Sequence, residues 1–212
     1  MKINEIRLTF LKALTAGVII GVGGIVYTVV ENKYLGAVLF SLGLFTIMQF
    51  EFALYTGKVG YIPDKKRSYI IEVLVTLIGN IAGTAFTAFL ILQTRLGNDI
   101  AEKTTEIMNS KINDTLISKL ILGFFCGMLM YIAVENNRLS RSKDFDLSAV
   151  FGTVFPVTVF ILCSFNHSIA DCFYMFASGV SVSGILYILT VALGNAVGGM
   201  FITLINKLSG KS

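Results

Sequence analysis

Long apolar runs alternate with shorter polar ones along this chain, and six of the runs approach the ~20 residues that a helix needs to cross a hydrocarbon core. They occupy residues 11–30, 34–55, 69–93, 116–134, 147–163 (resuming after a polar break to 176) and 182–205. Residues 94–115 mix charged and polar side chains and are expected to form the one sizeable loop outside the membrane. That loop divides the chain into two halves of three spans. The pattern predicts an all-α polytopic membrane protein, with residues 1–212 forming a single transmembrane domain.

The fifth run is interrupted by Cys163-Ser164-Phe165-Asn166-His167-Ser168-Ile169-Ala170-Asp171-Cys172, which contains the only histidine of the sequence. Polar residues at that depth predict a broken helix, because irregular backbone inside a bilayer persists only where protein or a water-filled cavity solvates it. An ionisable side chain at such a break is by default a functional candidate. The alternative is a structural histidine, hydrogen-bonded between helices.

A short repeat links the halves. Gly79-Asn80-Ile81-Ala82-Gly83 in the third run returns as Gly194-Asn195-Ala196-Val197-Gly198 in the sixth. With three spans per half the repeats, approximately 1–93 and 116–207, must be inverted relative to each other. Inverted repeats place a substrate site near the midplane, built from discontinuous helices in matching positions. Those positions are spans two and five. Span two carries Gln49, Glu51, Thr56 and Gly57 where apolar residues would continue a helix, so it too is expected to break.

Composition narrows the class. Hydrophobic residues make up 55% of the chain, charged residues 14%, and mean hydropathy is +0.78. A soluble domain carries about 25% charge. The first residues have Lys2, Arg7 and Lys12 on a short amphipathic start and no signal-like cleavage site, so no cleaved leader is expected. Cys126, Cys163 and Cys172 show neither metal spacing nor a disulfide framework. The net charge of +4 does not point to nucleic acid, since the basic residues sit in short loops. The N-terminus, the second and fourth loops and the tail together hold twelve of the 17 Lys and Arg residues, which predicts cytoplasmic termini. No cofactor, metal centre or enzymatic constellation is expected.

The residues resemble the formate/nitrite transporter family, which includes hydrosulfide channels. The resemblance rests on Phe155-Pro156 with Phe165-Asn166-His167-Ser168-Ile169-Ala170-Asp171, similar to the family's F-P…F-E-H-S-x-A-N. Phe40-Ser41-Leu42-Gly43-Leu44 and Leu54-Tyr55-Thr56-Gly57, with the two G-N-x-x-G copies, extend it over all six spans. It implies an aquaporin-like protomer, a homopentamer and one pore per protomer. It also implies that His167 is the central pore histidine and Thr56 its partner. Phe40, Leu44, Leu54 and Phe160 would form hydrophobic constrictions above and below, with Asn80, Asn195, Asn166 and Asp171 around them. Some positions depart from the family pattern. Ala149 stands for a lysine, Asn166 for a glutamate, Asp171 for an asparagine, Ala53 for an acidic residue (Glu51 lies two earlier) and Lys58 for an asparagine.

The expected function is a passive or proton-linked channel in the inner or plasma membrane for small monovalent anions or their conjugate acids. Formate, nitrite, hydrosulfide and short carboxylates fall in that class. Apolar rings would strip water from the solute. A proton from His167, whose charge ordinarily changes near neutral pH, would lower the cost of carrying it through the midplane. Asp171, one turn on, is expected to orient the ring or to raise its pKa. A neutral-solute pore, favoured by Ala149, and a closed structural or interaction protein remain as alternatives.

Overall fold

The computed structural model describes residues 2–140 and 147–210, and these are helical throughout their regular structure. The helices are α1 (Ile3–Val29), α2 (Lys33–Gln49), α3 (Tyr55–Lys58), α4 (Tyr69–Leu92), α5 (Gly97–Ile112), α6 (Leu116–Ser140), α7 (Leu147–Leu162), α8 (Ser168–Ser178) and α9 (Val182–Leu208). A 3-10 turn, Val59–Asp64, follows α3. Arg141, Lys143 and Lys211, which contribute to the predicted orientation, lie outside the described residues.

Among the described residues four helices, α1, α4, α6 and α9, are long and apolar enough to cross a membrane; α2 and α7 are shorter apolar helices. Along α9 the side chains of Leu186, Leu189, Leu193, Val197, Phe201 and Leu204 all face outward. Such a continuous apolar face would aggregate in water and suits lipid or a neighbouring subunit.

The long helices approach each other through glycines. Gly17 and Gly83 bring α1 against α4, and Gly127 and Gly198 bring α6 against α9. A Cβ on Gly198 would overlap the backbone carbonyl of Phe124, and one on Gly83 that of Leu14. Small residues at such crossings let backbones pack directly. Gly198→Ala is therefore expected to destabilise the protein by about 1–3 kcal/mol, the usual cost of overpacking, seen as a lower thermal midpoint in detergent.

One expectation is corrected. Residues 94–115 are not a loop: they contain α5, a polar helix whose Ile100, Thr104 and Met108 are fully buried. Spacings of four place these three on one face, which packs against α8, while Asp99, Glu102 and Lys103 stay outside. Mean polarity conceals such a helix because its apolar stripe is narrow.

Candidate functional site

Two of the interruptions between helices, at residues 50–54 and 163–167, are each held by an asparagine. Asn80 of α4 accepts the Tyr55 amide at 2.8 Å and donates to the carbonyls of Ala53 at 2.8 Å and Ala13 at 2.7 Å. Asn195 of α9 accepts the Ser168 amide at 2.9 Å and donates to the carbonyls of Asn166 and Gly123, both at 2.8 Å. In each case the amide opens the short helix, one carbonyl lies two residues before it, and the other belongs to the neighbouring long helix. The preceding turns also match. Phe52 N–H bonds the Ile47 carbonyl at 3.0 Å and Phe165 N–H that of Phe160 at 2.9 Å. Glu51 and Ser164 each take φ 55°, a left-handed conformation that side chains seldom adopt. A carboxamide is required at both places, because only a group that donates twice and accepts can satisfy these backbone atoms at once.

These anchors set the stretches that carry His167 and Thr56. His167 is the N-cap of α8; its Nδ1 accepts the Ala170 amide at 3.1 Å. Nε2 lies 3.0 Å from Thr56 Oγ1. A nitrogen that accepts an amide carries no proton of its own, so in the neutral ring the hydrogen sits on Nε2 and points at Thr56. Both residues are almost completely buried.

The pair sits between two cavities. The first, of about 480 Å³, is lined by Leu54 and Gly57 among others, with Lys12, Glu51, Lys58, Glu72 and Arg138 contributing charge. The second, of about 360 Å³, is lined by His167, Phe40, Phe160, Asn166 and Asp171. Thr56, next to Gly57 of the first cavity, bonds a residue of the second. Leu44 is buried in the apolar core that these residues share.

The apolar constrictions are arranged differently from the expectation. Phe40 and Phe160 do not stand on opposite sides of His167. Their rings meet edge to face with centroids 6.4 Å apart, both on the second cavity, and Phe160 stacks on the imidazole at 5.4 Å. The reason is that α2 packs along α7, which brings the middle of one helix to the end of the other. On the first-cavity side Leu54 is among the apolar residues of the lining. Replacing Phe40 and Phe160 together by alanine is expected to widen this side and raise solute flux, with weaker rejection of larger carboxylates. Unchanged liposome flux and size cutoff in the double variant would remove them as the restriction.

Asp171 does not face the imidazole either. Its Oδ2 accepts the Tyr187 hydroxyl at 2.7 Å, and its Oδ1 lies 3.1 Å from Lys111 Nζ. The ring is oriented by Thr56 and the Ala170 amide instead. Lys58 forms an ion pair with Glu72 at the first cavity. Sequence reasoning missed Lys111, whose ammonium also donates to Asn166 Oδ1 at 2.9 Å. The helical spacing Ile100, Thr104, Ile107, Lys111 was the sign that would have put it on the inward face.

Apolar helices around a buried polar pair, with a cavity on either side, define a polytopic α-helical membrane protein. The chain belongs to the formate/nitrite transporter family: the family profile described as formate/nitrite transporter matches residues 2–208. It is 25% identical over 183 residues to "Formate channel FocB" of Escherichia coli, covering 77% of this chain and 64% of that protein. It is 26% identical over 187 residues to "Formate channel FocA" of Escherichia coli, covering 78% and 64%. The chain thus spans less than two thirds of these relatives. Among solved structures, a "Pentameric formate channel with formate bound" superposes with a TM-score of 0.82 at 24% identity, covering 100% of both chains.

Proposed function

We propose that this protein is a membrane channel for small monovalent anions or their conjugate acids, of the formate, nitrite and hydrosulfide class. Six spans in two inverted three-helix repeats form the protomer, with spans two and five broken at residues 50–54 and 163–167. The matching asparagine anchors support that repeat reading. Five protomers assemble in the inner or plasma membrane, each with its own pore, and the termini face the cytoplasm. The formate channels among its relatives and structural neighbours support the solute class and the pentamer.

The observation that carries the reading is the Thr56–His167 pair, buried between two cavities. An anion leaving one cavity loses water against Leu54 or against Phe40 and Phe160. It then meets the Nε2–H, the one donor the ring can offer. A hydrogen bond from that atom of the neutral ring, or a proton once the ring itself has been protonated, offsets the cost of a bare charge in an apolar surround. Thr56 accepts the same hydrogen when no solute is present, so the donor is never left unpaired. Multiply charged anions would need more compensation than one imidazole supplies.

The test is flux in liposomes, with formate, nitrite, hydrosulfide, acetate, sulfate and glycerol compared side by side. Formate, nitrite and hydrosulfide should cross and sulfate should not. Fast glycerol with slow anions would favour a neutral-solute pore, and no flux at all a closed structural protein.

A further inference from the structure

Thr56 rides on a single helical turn whose far end is gripped from the first cavity. That turn, α3, has four residues, too few to hold a helix by themselves. Asn80 fixes its first amide, and the Tyr55 hydroxyl donates to the Ala192 carbonyl at 3.0 Å. Its last residue, Lys58, lies two positions past Thr56 and is closed on by Tyr69 and Glu72, which share one face of α4. The Tyr69 hydroxyl donates to the Lys58 carbonyl at 3.2 Å, and the Lys58 ammonium lies 5.7 Å from the centre of the Tyr69 ring. The same ammonium pairs with the Glu72 carboxylate. An ion pair with side chains 27% and 31% exposed holds little by itself; here a ring and a hydroxyl grip the same residue. All three residues line the first cavity, whereas the imidazole that Thr56 meets lines the second.

The two halves of the chain place a tie at the same point. Lys58 is the fourth residue of α3, and Glu72 stands eight positions before Asn80. Asp171 is the fourth residue of α8, and Tyr187 stands eight positions before Asn195. Each pair joins the short helix to the long helix that carries its asparagine. The halves differ in what else holds the short helix. α8 runs for eleven residues and buries Ile169, Cys172 and Phe173 completely, whereas α3 ends after one turn.

We propose that Lys58, Tyr69 and Glu72 are positioning residues, a clasp on the end of α3 that keeps the Thr56 hydroxyl on the Nε2–H of His167. The bearing of this clasp on flux rests on the channel reading above. Ammonium and carboxylate cancel, so the clasp offers the solute no net charge and acts through Thr56. Without it the end of α3 is free to shift and Thr56 Oγ1 leaves its place 3.0 Å from the ring. The imidazole then keeps only the Ala170 amide to aim it.

His167 is the only histidine of the chain, so isotope-labelled histidine gives one set of ring resonances. The Nε2–H resonance in nanodiscs and formate flux in liposomes are compared for the parent, Lys58→Met, Glu72→Gln, Lys58→Arg and Thr56→Ala. Lys58→Met and Glu72→Gln are also made in a Thr56→Ala background, and every variant is checked for parental oligomer size. Both should move the resonance in the direction of Thr56→Ala and lower formate flux about fivefold, the low end of coupling between separate sites. Lys58→Arg should stay near the parent. With Thr56→Ala already present neither should lower flux further, because the group they position is gone. A clasp variant that does not assemble is replaced by Tyr69→Phe, which removes only the hydroxyl on the Lys58 carbonyl and should shift the resonance the same way by less. A His167 resonance unmoved by the clasp variants would overturn the inference. So would flux changes of opposite sign in Lys58→Met and Glu72→Gln, the mark of charges acting directly on the anion, or undiminished losses in the Thr56→Ala background. A parent that passes no formate would overturn the channel reading alone, since the resonance still tells whether the clasp holds Thr56.

Discussion

Asn80→Asp and Asn195→Asp are expected to abolish the folded protein, despite changing a single atom group each. Each asparagine satisfies three backbone groups: the amide that opens a short helix, a carbonyl of the interruption before it and a carbonyl of the neighbouring long helix. A carboxylate can still accept from the amide of Tyr55 or Ser168. It cannot donate to the carbonyls, and it places an unpaired negative charge beside two carbonyl oxygens. Each buried polar group left without a partner costs about 1–3 kcal/mol, and a buried charge costs more. Against a total stability of about 5–15 kcal/mol, that is enough to unfold the protein. Asn80→Ala should be less severe than Asn80→Asp: it leaves the Tyr55 amide unpaired as well as the two carbonyls, but it adds no buried charge. The measurement is the yield of monodisperse oligomer in detergent, followed by thermal unfolding of whatever survives. Parental yield and midpoint in both aspartate variants would mean that the interruptions are held by something else.

The same asparagines explain why part of this architecture is legible in the sequence. A polar carboxamide flanked by glycines inside an apolar helix has few uses other than satisfying stray backbone, and two copies in matching runs point to two such places. His167 is conspicuous for a similar reason, since a lone ionisable group in an apolar stretch is expensive to retain. What escapes the sequence is whatever depends on partners from distant elements. Asp171 is one turn from His167 along the chain, yet its carboxylate belongs to Lys111 on α5 and Tyr187 on α9. Lys111 lies in a stretch whose overall polarity reads as loop, so its reach into the cavity follows only from the buried face of α5. The meeting of Phe40 with Phe160 depends on how far α2 slides along α7, and no periodicity records that offset. Local chemistry was readable; the pairing of side chains across helices was not.

His167→Asn is expected to leave the protein folded and to lower weak-acid flux about a hundredfold, the scale at which a positioned proton donor usually acts. Asparagine is chosen because the imidazole has two separable tasks. Through Nδ1 it caps α8 by accepting the Ala170 amide, and an asparagine carbonyl is a good replacement at that position. Through Nε2 it presents a hydrogen to Thr56 and, on the proposed mechanism, to the passing anion. An amide can offer a hydrogen bond but, unlike the imidazole, cannot take up and pass on a proton near neutral pH. In the parent, formate flux should rise as the pH falls from 8 to 5, because acid both protonates the neutral ring, which then has a proton to give, and supplies more neutral acid. In His167→Asn only the second contribution remains, so the profile should follow the bulk fraction of formic acid alone. The smaller side chain also vacates space against Phe160. Chloride, whose conjugate acid does not form at these pH values, reports the width of the passage without the proton. The variant should therefore lose formate flux while its chloride leak holds or increases. Parental formate rates with a parental pH profile in His167→Asn would show that the ring only caps and plugs the passage, and that the proton, if one is used, comes from elsewhere.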